Sequence, residues 1–248
     1  MQRSNAYIIM YTIALTLVCA VVLALTSEGL KPTQKANIDL EKKKFILQSF
    51  LGTEKVKTFQ KNEIESIYKS RVKGVILKSN GEEVSGVAEM VDVAKEYKKP
   101  EADRQLPFYI ISSESDPAKT EFYVMPVYGF GLWDNIWGYV AVKGDMNTIA
   151  GVVFDHKGET PGLGARITTS EIQDRYVGKQ LFAEKEFKSV KMQKGEGNNY
   201  DTDPHSVDGM SGATLTANGI NNMMNAYLGA YSNYFSKLSS SSLTLNNN

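Results

Sequence analysis

The chain has 248 residues, enough for one sizeable domain with an attachment, and its 28 basic residues balance 28 acidic ones. Zero formal net charge leaves no basic excess to neutralise a phosphate backbone, which argues against a nucleic-acid partner. A lone cysteine, Cys19, excludes an internal disulfide and a thiolate-held iron–sulfur centre, and the two distant histidines, His156 and His205, are a poor basis for a zinc site.

In chain order, Ala6 to Leu25 is an uncharged apolar run of 20 residues. As a helix it spans about 30 Å, the thickness of a hydrocarbon core. It exceeds a signal-peptide core in length, and the following "ALTSEG" offers a poor cleavage site, so it reads as an uncleaved single-span anchor. Lys31, Lys35, Lys42, Lys43 and Lys44 follow it, whereas only Arg3 and the amino terminus precede it. That bias alone would hold the large domain in the cytoplasm, although the rule weakens for long translocated domains.

Next, "NIDLEKKKFILQSFLG" sets Ile38, Phe45, Ile46 and Phe50 near one helical face, with Asn37 as cap and Gly52 as stop. A short helix is expected over Asn62–Arg71 and a strand over Val72–Leu77, leading into the turn "SNGEE". "KEYKKPEADR", Lys95 to Arg104, reads as a solvated loop and a weak sub-boundary. Four β-branched and aromatic runs come after it: "PFYIIS", "EFYVMPVYG", "WGYVAVKG" and "IAGVVFD". A helix over Thr169–Gln180 and a polar loop over Lys194–Val207 precede the last helix. There Ile220, Met223, Met224, Tyr227, Tyr231, Tyr234, Phe235 and Leu238 recur every three or four residues as a core-packing stripe. Mixed strands and helices without strict alternation give an α+β class.

Three glycine-bearing stretches are candidates for a site. In "GFGLWDNIWGYVAV", Trp133 and Trp137 beside glycines suit stacking on a flat ligand, or core aromatics at a strand turn. In "HKGETPGLGARI", Thr160-Pro161-Gly162-Leu163 fits a turn with positive φ at Gly162. Such a loop presses amides and Leu163 against a planar ring, or merely connects two elements. In "DGMSGATLTANGI", a helix starting near Thr214 offers unpaired N–H groups to a phosphate, or simply carries a hydroxyl cap. No Gly-x-x-x-x-Gly-Lys pattern is present, which rules out a nucleotide P-loop, and no base accompanies the hydroxyls, which argues against hydrolytic catalysis.

Asp208 to Thr214, "DGMSGAT", resembles the Asp-x-x-Ser/Thr-Gly-Ala-Thr motif read by flavin transferases, which link FMN through its phosphate to the final threonine. With the amino-terminal span, "NIDLEKKKFILQSFLG", "GLWDNIWGYVAV" and "GETPGLGARI" in the same order, the chain resembles the C-subunit family of sodium-translocating NADH:quinone oxidoreductases over nearly its whole length. The G-type flavoprotein of the Rnf complex shares the terminal motif and the "ETPGLG" loop, whereas the "GLW" turn and the longer region before it favour the quinone-reductase family.

This resemblance implies covalent FMN in a phosphoester bond to Thr214, with Asp208, Ser211, Gly212 and Ala213 completing the transferase motif. It implies that Thr160, Gly162, Leu163, Gly164 and Trp133 line the isoalloxazine, that no residue is catalytic and that no metal is bound. It further implies an electron relay between an iron–sulfur centre and another flavin subunit. The other subunits of the complex and a maturing flavin transferase would then be partners. The fold implied is a single transmembrane helix followed by a mixed FMN-binding domain with short antiparallel strands, on the periplasmic side of a bacterial inner membrane. The expected organisation is an anchor over 1–30, a helical and hairpin part over 31–95, the FMN-binding domain over 96–238 and a disordered tail over 239–248. A membrane-anchored FMN-binding sensory domain and a purely structural assembly protein are the rival readings.

Overall fold

A computed structural model describes residues 4–245, with side chains to Ser239. The chain divides into two compact units, Met1–Lys42 and Lys43–Asn248. The first unit consists of the greater part of α1 (Asn5–Leu51), whose apolar segment is exposed along its length and is long and apolar enough to cross a membrane.

Asn37 does not cap a separate helix, because α1 continues through it. Pro32 removes one backbone donor, but helix-favouring neighbours and the Lys31–Glu28 ion pair at 2.5 Å support the turns on either side. The stop at Gly52 is as expected: its φ is +89°, a conformation open to glycine, and α2 (Thr53–Lys57) begins directly after it.

In the second unit α3 (Lys61–Arg71) starts with a capping box between Gln60 and Glu63 and runs directly into β1 (Val72–Lys78). A tight turn leads to β2 (Glu83–Val84). The segment expected as a solvated loop instead contains the end of α4 (Val93–Tyr97) and a single turn of 3₁₀ helix. It folds back because the buried Glu96 carboxylate accepts from Gln105 N–H (3.0 Å) and Lys99 Nζ (2.8 Å), while Arg104 lies over the Tyr97 ring at 5.2 Å.

Four long strands follow as a meander: β3 (Gln105–Ser112), β4 (Thr120–Phe130), β5 (Asn135–Lys143) and β6 (Ile149–His156). One antiparallel six-stranded sheet results, in the order β2-β1-β3-β4-β5-β6, so a single sheet crosses residue 95. Period-two alternation divides its side chains between two faces. Ile76, Tyr109, Ile111, Val124, Tyr139 and Ala141 pack with Ile46 and Tyr68 on one side.

Val75, Leu77, Phe108, Met125, Val127, Val140 and Phe154 pack on the other, against the stripe of α6 (Thr214–Leu245). Ile220, Met223, Met224, Tyr227, Tyr231, Tyr234 and Phe235 are buried there, and Leu238 is partly so. Tyr231 has a particular task. The β3–β4 register would oppose Pro107 and Pro126, neither of which has an N–H to give the ladder. The buried Tyr231 hydroxyl reaches both prolyl carbonyls instead, at 2.8 and 3.1 Å.

No continuous helix covers Thr169–Gln180. Only α5 (Ser170–Gln173), flanked by 3₁₀ turns, forms before Gly178 turns the chain at φ +81° and Gln180 bridges to Thr148. Short pairs complete the unit: β7 (Phe182–Ala183) with β8 (Glu186–Phe187), and β9 (Lys191–Met192) parallel to β10 (Ser206–Val207), which closes the polar loop. The low-complexity end enters α6, whose backbone continues to Leu245; residues 246–248 of the expected tail lie outside the described residues.

Candidate functional site

The site is assembled from the β4–β5 turn, the loop after β6 and the first turn of α6. Thr160 starts the loop with the expected turn: its carbonyl accepts from Leu163 N–H and Ala165 N–H, both at 3.1 Å, and Gly162 has φ +75°. Leu163 is left exposed at its tip. Gly212, at φ +72°, faces this loop so closely that a Cβ there would lie 2.8 Å from Leu163 Cδ2.

Ala213 is buried and anchors α6, its carbonyl accepting the N–H of Ala217 at 3.0 Å. That bond is the first of the helix, so the amides of Thr214, Leu215 and Thr216 have no carbonyl within α6 to bond, and the positive end of the helix dipole lies there. The two threonines differ sharply. Thr214 is exposed, whereas Thr216 is 1 % exposed and donates its hydroxyl to Glu159 Oε2 at 2.5 Å.

Glu159 ties the three segments together. Its Oε1 accepts the N–H groups of Leu132 and Trp133, each at 2.9 Å, and its own N–H donates to His156 Nδ1 at 3.2 Å. Gly131 and Gly164 make room for the carboxylate, since a Cβ on either would lie 2.5 Å from one of its oxygens. Burial pushes the Glu159 carboxyl up, but hydrogen bonds from the Thr216 hydroxyl and the turn amides outweigh this and hold it below the ordinary range. The turn presents Trp133 at 64 % exposure, while Trp137 is half-buried within β5.

Asp208 and Ser211 lie in a second cluster, behind the helix start. The Asp208 carboxylate accepts from Gly197 N–H (2.7 Å) and Asn198 N–H (3.1 Å) and faces Arg175 at 3.7 Å. Ser211 N–H donates to Glu196 Oε2 at 2.9 Å, and Glu196 in turn pairs with Arg166 (2.6 Å) and Arg175 (3.1 Å). These residues shape the loop that carries Thr214.

The Arg166 hydrogen bonds, helped by the Ser211 amide and Arg175, hold the Glu196 carboxyl at about 2 against an ordinary 4.5. A depressed folded value stabilises the fold above the ordinary carboxylate range and is lost as pH falls toward 2. Thermal melting of wild type should therefore decline over that window. Glu196→Gln should melt lower at neutral pH and lose part of the decline, and an identical slope in both proteins would contradict this assignment.

The FMN-binding domain family matches residues 131–229, the stretch that holds every segment of the site. Among curated relatives, the C subunit of the Na(+)-translocating NADH-quinone reductase of Pasteurella multocida is 31% identical over 88% of this chain and 87% of its own length. That of Pseudomonas aeruginosa is 30% identical over 92% and 93%. The crystal structure of the Parabacteroides distasonis C subunit superposes with a TM-score of 0.71 at 35% identity, covering 83% of this chain and 96% of that one.

The chain belongs to the C-subunit family of Na(+)-translocating NADH-quinone reductases. As a member of that family it is a subunit of such a reductase and carries an FMN-binding domain. Of the residues that sequence reasoning set out, the structure brings Gly164 and the Trp133 backbone together on Glu159, and Leu163 against Gly212. Asp208 and Ser211 it draws into the neighbouring arginine–glutamate cluster. Sequence reasoning missed Glu159 and the structural role of Thr216. The available signal was an acidic residue opening a glycine loop in a chain otherwise short of candidate catalytic groups.

Proposed function

We propose that the chain is an electron-relay subunit with FMN held in a phosphoester bond to Thr214, placed there by a flavin transferase. It passes electrons between an iron–sulfur centre and another flavin subunit of a sodium-pumping NADH:quinone oxidoreductase. α1 anchors it in a bacterial inner membrane with the FMN-binding domain on the periplasmic side.

The observation that carries the proposal is the contrast between the two threonines. Thr214 presents an exposed hydroxyl with no hydrogen bond among the described residues, beside three helix-start amides, while the Thr216 hydroxyl is buried against Glu159. The residues fit FMN. Amides of Thr214, Leu215 and Thr216 suit a phosphate, and the open space at the missing Cβ of Gly162 leaves approach for a flat ring, while Gly212 lets Leu163 pack close to the helix start. Exposed Leu163 and Trp133 supply apolar faces for it. Bound FMN supplies the electron-transfer chemistry. The chain's own residues bind and orient it; the ester at Thr214 keeps it from dissociating, and no acid or base is required.

The test is co-expression of the full-length chain with a flavin transferase, followed by denaturation. Flavin fluorescence should travel with the unfolded polypeptide, and an unlabelled wild type would overturn the covalent reading. In the assembled complex, quinone reduction that proceeds unchanged with an unflavinylated chain would overturn the relay.

A further inference from the structure

We propose that Glu159 is a positioning residue for the flavin site, acting in two separable ways. Its buried carboxylate clamps the Leu132–Trp133 turn and the first turn of α6 around the 160–164 loop, and its fixed negative charge lowers the reduction potential of the flavin held there. The inference rests on the FMN reading above and adds to it a residue that sets geometry and potential.

The geometric part follows from the division of labour between the two carboxylate oxygens. Oε1 takes both turn amides at 2.9 Å, and Oε2 takes the Thr216 hydroxyl at 2.5 Å. The partners lie 27, 26 and 57 residues away in sequence, so one side chain fixes three segments that share no strand or helix. Glu159 is only 4 % exposed, and removing this buried acceptor would leave two backbone amides and a hydroxyl without their partner. The close fit of Gly131 and Gly164 fixes where the carboxylate lies.

The electrostatic part follows from that placement. Thr160 is adjacent to Glu159, Trp133 hangs from its Oε1, and Thr216 lies in the same first turn of α6 as Thr214. A ring bordered by Leu163 and Trp133 and tethered at Thr214 thus lies within reach of an anion shielded from water. Adding an electron near that anion is disfavoured, and more strongly in a low-dielectric setting than in water. Among the described residues no cation pairs with Glu159, whose carboxylate accepts from two backbone amides and a hydroxyl, all neutral donors.

Glu159→Gln separates the two roles. The amide oxygen can keep both backbone N–H donors while its NH₂ donates to a Thr216 hydroxyl turned to accept, so the clamp survives and the charge is gone. Glu159→Ala removes both. The full-length, detergent-solubilised chain is compared in three forms: wild type, Glu159→Gln and Glu159→Ala. Amide hydrogen exchange at Leu132 and Trp133 is followed in the flavin-free protein, and the midpoint potential in the flavinylated one.

Glu159→Gln should retain exchange protection and flavin loading yet show a more positive potential. Glu159→Ala should lose protection at those two amides while distant sheet amides, such as that of Val140, stay protected, which distinguishes loss of the clamp from unfolding. An unchanged potential in flavin-loaded Glu159→Gln would overturn the electrostatic role, and retained protection in Glu159→Ala would overturn the clamp. If the wild type takes up no flavin, the FMN reading itself fails, and the exchange experiment still decides the clamp.

Discussion

Thr214→Ala should abolish covalent flavin, while Thr216→Ala should keep it on a less stable protein. The opposite outcomes follow from burial. Thr214 is exposed, and removing its hydroxyl strips no hydrogen bond among the described residues, so its effect on stability should stay within about 0.5 kcal/mol. Removing the Thr216 hydroxyl leaves Glu159 Oε2 without its donor inside the protein, at a cost of about 1–3 kcal/mol. Melting and in-gel flavin fluorescence of the two variants, each co-expressed with a flavin transferase, measure both quantities at once. Flavin on Thr214→Ala, or its loss from a folded Thr216→Ala, would contradict the assignment.

Gly164→Ala should be nearly as damaging to the site, through crowding. The new methyl would lie 2.5 Å from both Glu159 Oε2 and Thr216 Oγ1, atoms of two buried side chains that are hydrogen-bonded to each other. Overpacking of this kind costs about 1–3 kcal/mol, and here it also forces apart the bond on which the cradle closes. Gly162→Ala is the comparison: nothing lies within 4 Å of its Cβ position, so only the φ of +75° is strained, at about 1 kcal/mol. Gly164→Ala should therefore lower the melting temperature more than Gly162→Ala and reduce flavin loading. Equal melting temperatures would show that the packing around Glu159 does not govern the site's stability.

Legibility in the sequence followed the range of the interactions involved. The α6 stripe and the four long strands were readable because their hydrophobic period is local, and so was the Thr160–Leu163 turn, whose proline and glycine act on their own backbone. The continuity of α1 was not, because Asn37 carries a cap's side chain wherever it sits, and only the rest of the helix makes it an interior residue. The region after Thr169 misled for a related reason: a helical composition is cut short by Gly178 and by the bridge from Gln180 to Thr148. Lys95–Arg104 read as solvent-facing by its charges, yet Glu96 is buried by bonds to residues that follow it in the chain. Thr214 was singled out through its motif, whereas Glu159 acquires meaning only when distant segments converge on it.

Peptide mapping of the flavinylated, full-length protein tests the central claim most directly. Proteolysis followed by tandem mass spectrometry should place one FMN phosphoester on Thr214, with Thr216 and Ser211 of the same peptide unmodified. FMN found on either of those residues, or on any peptide lacking Thr214, would contradict the account.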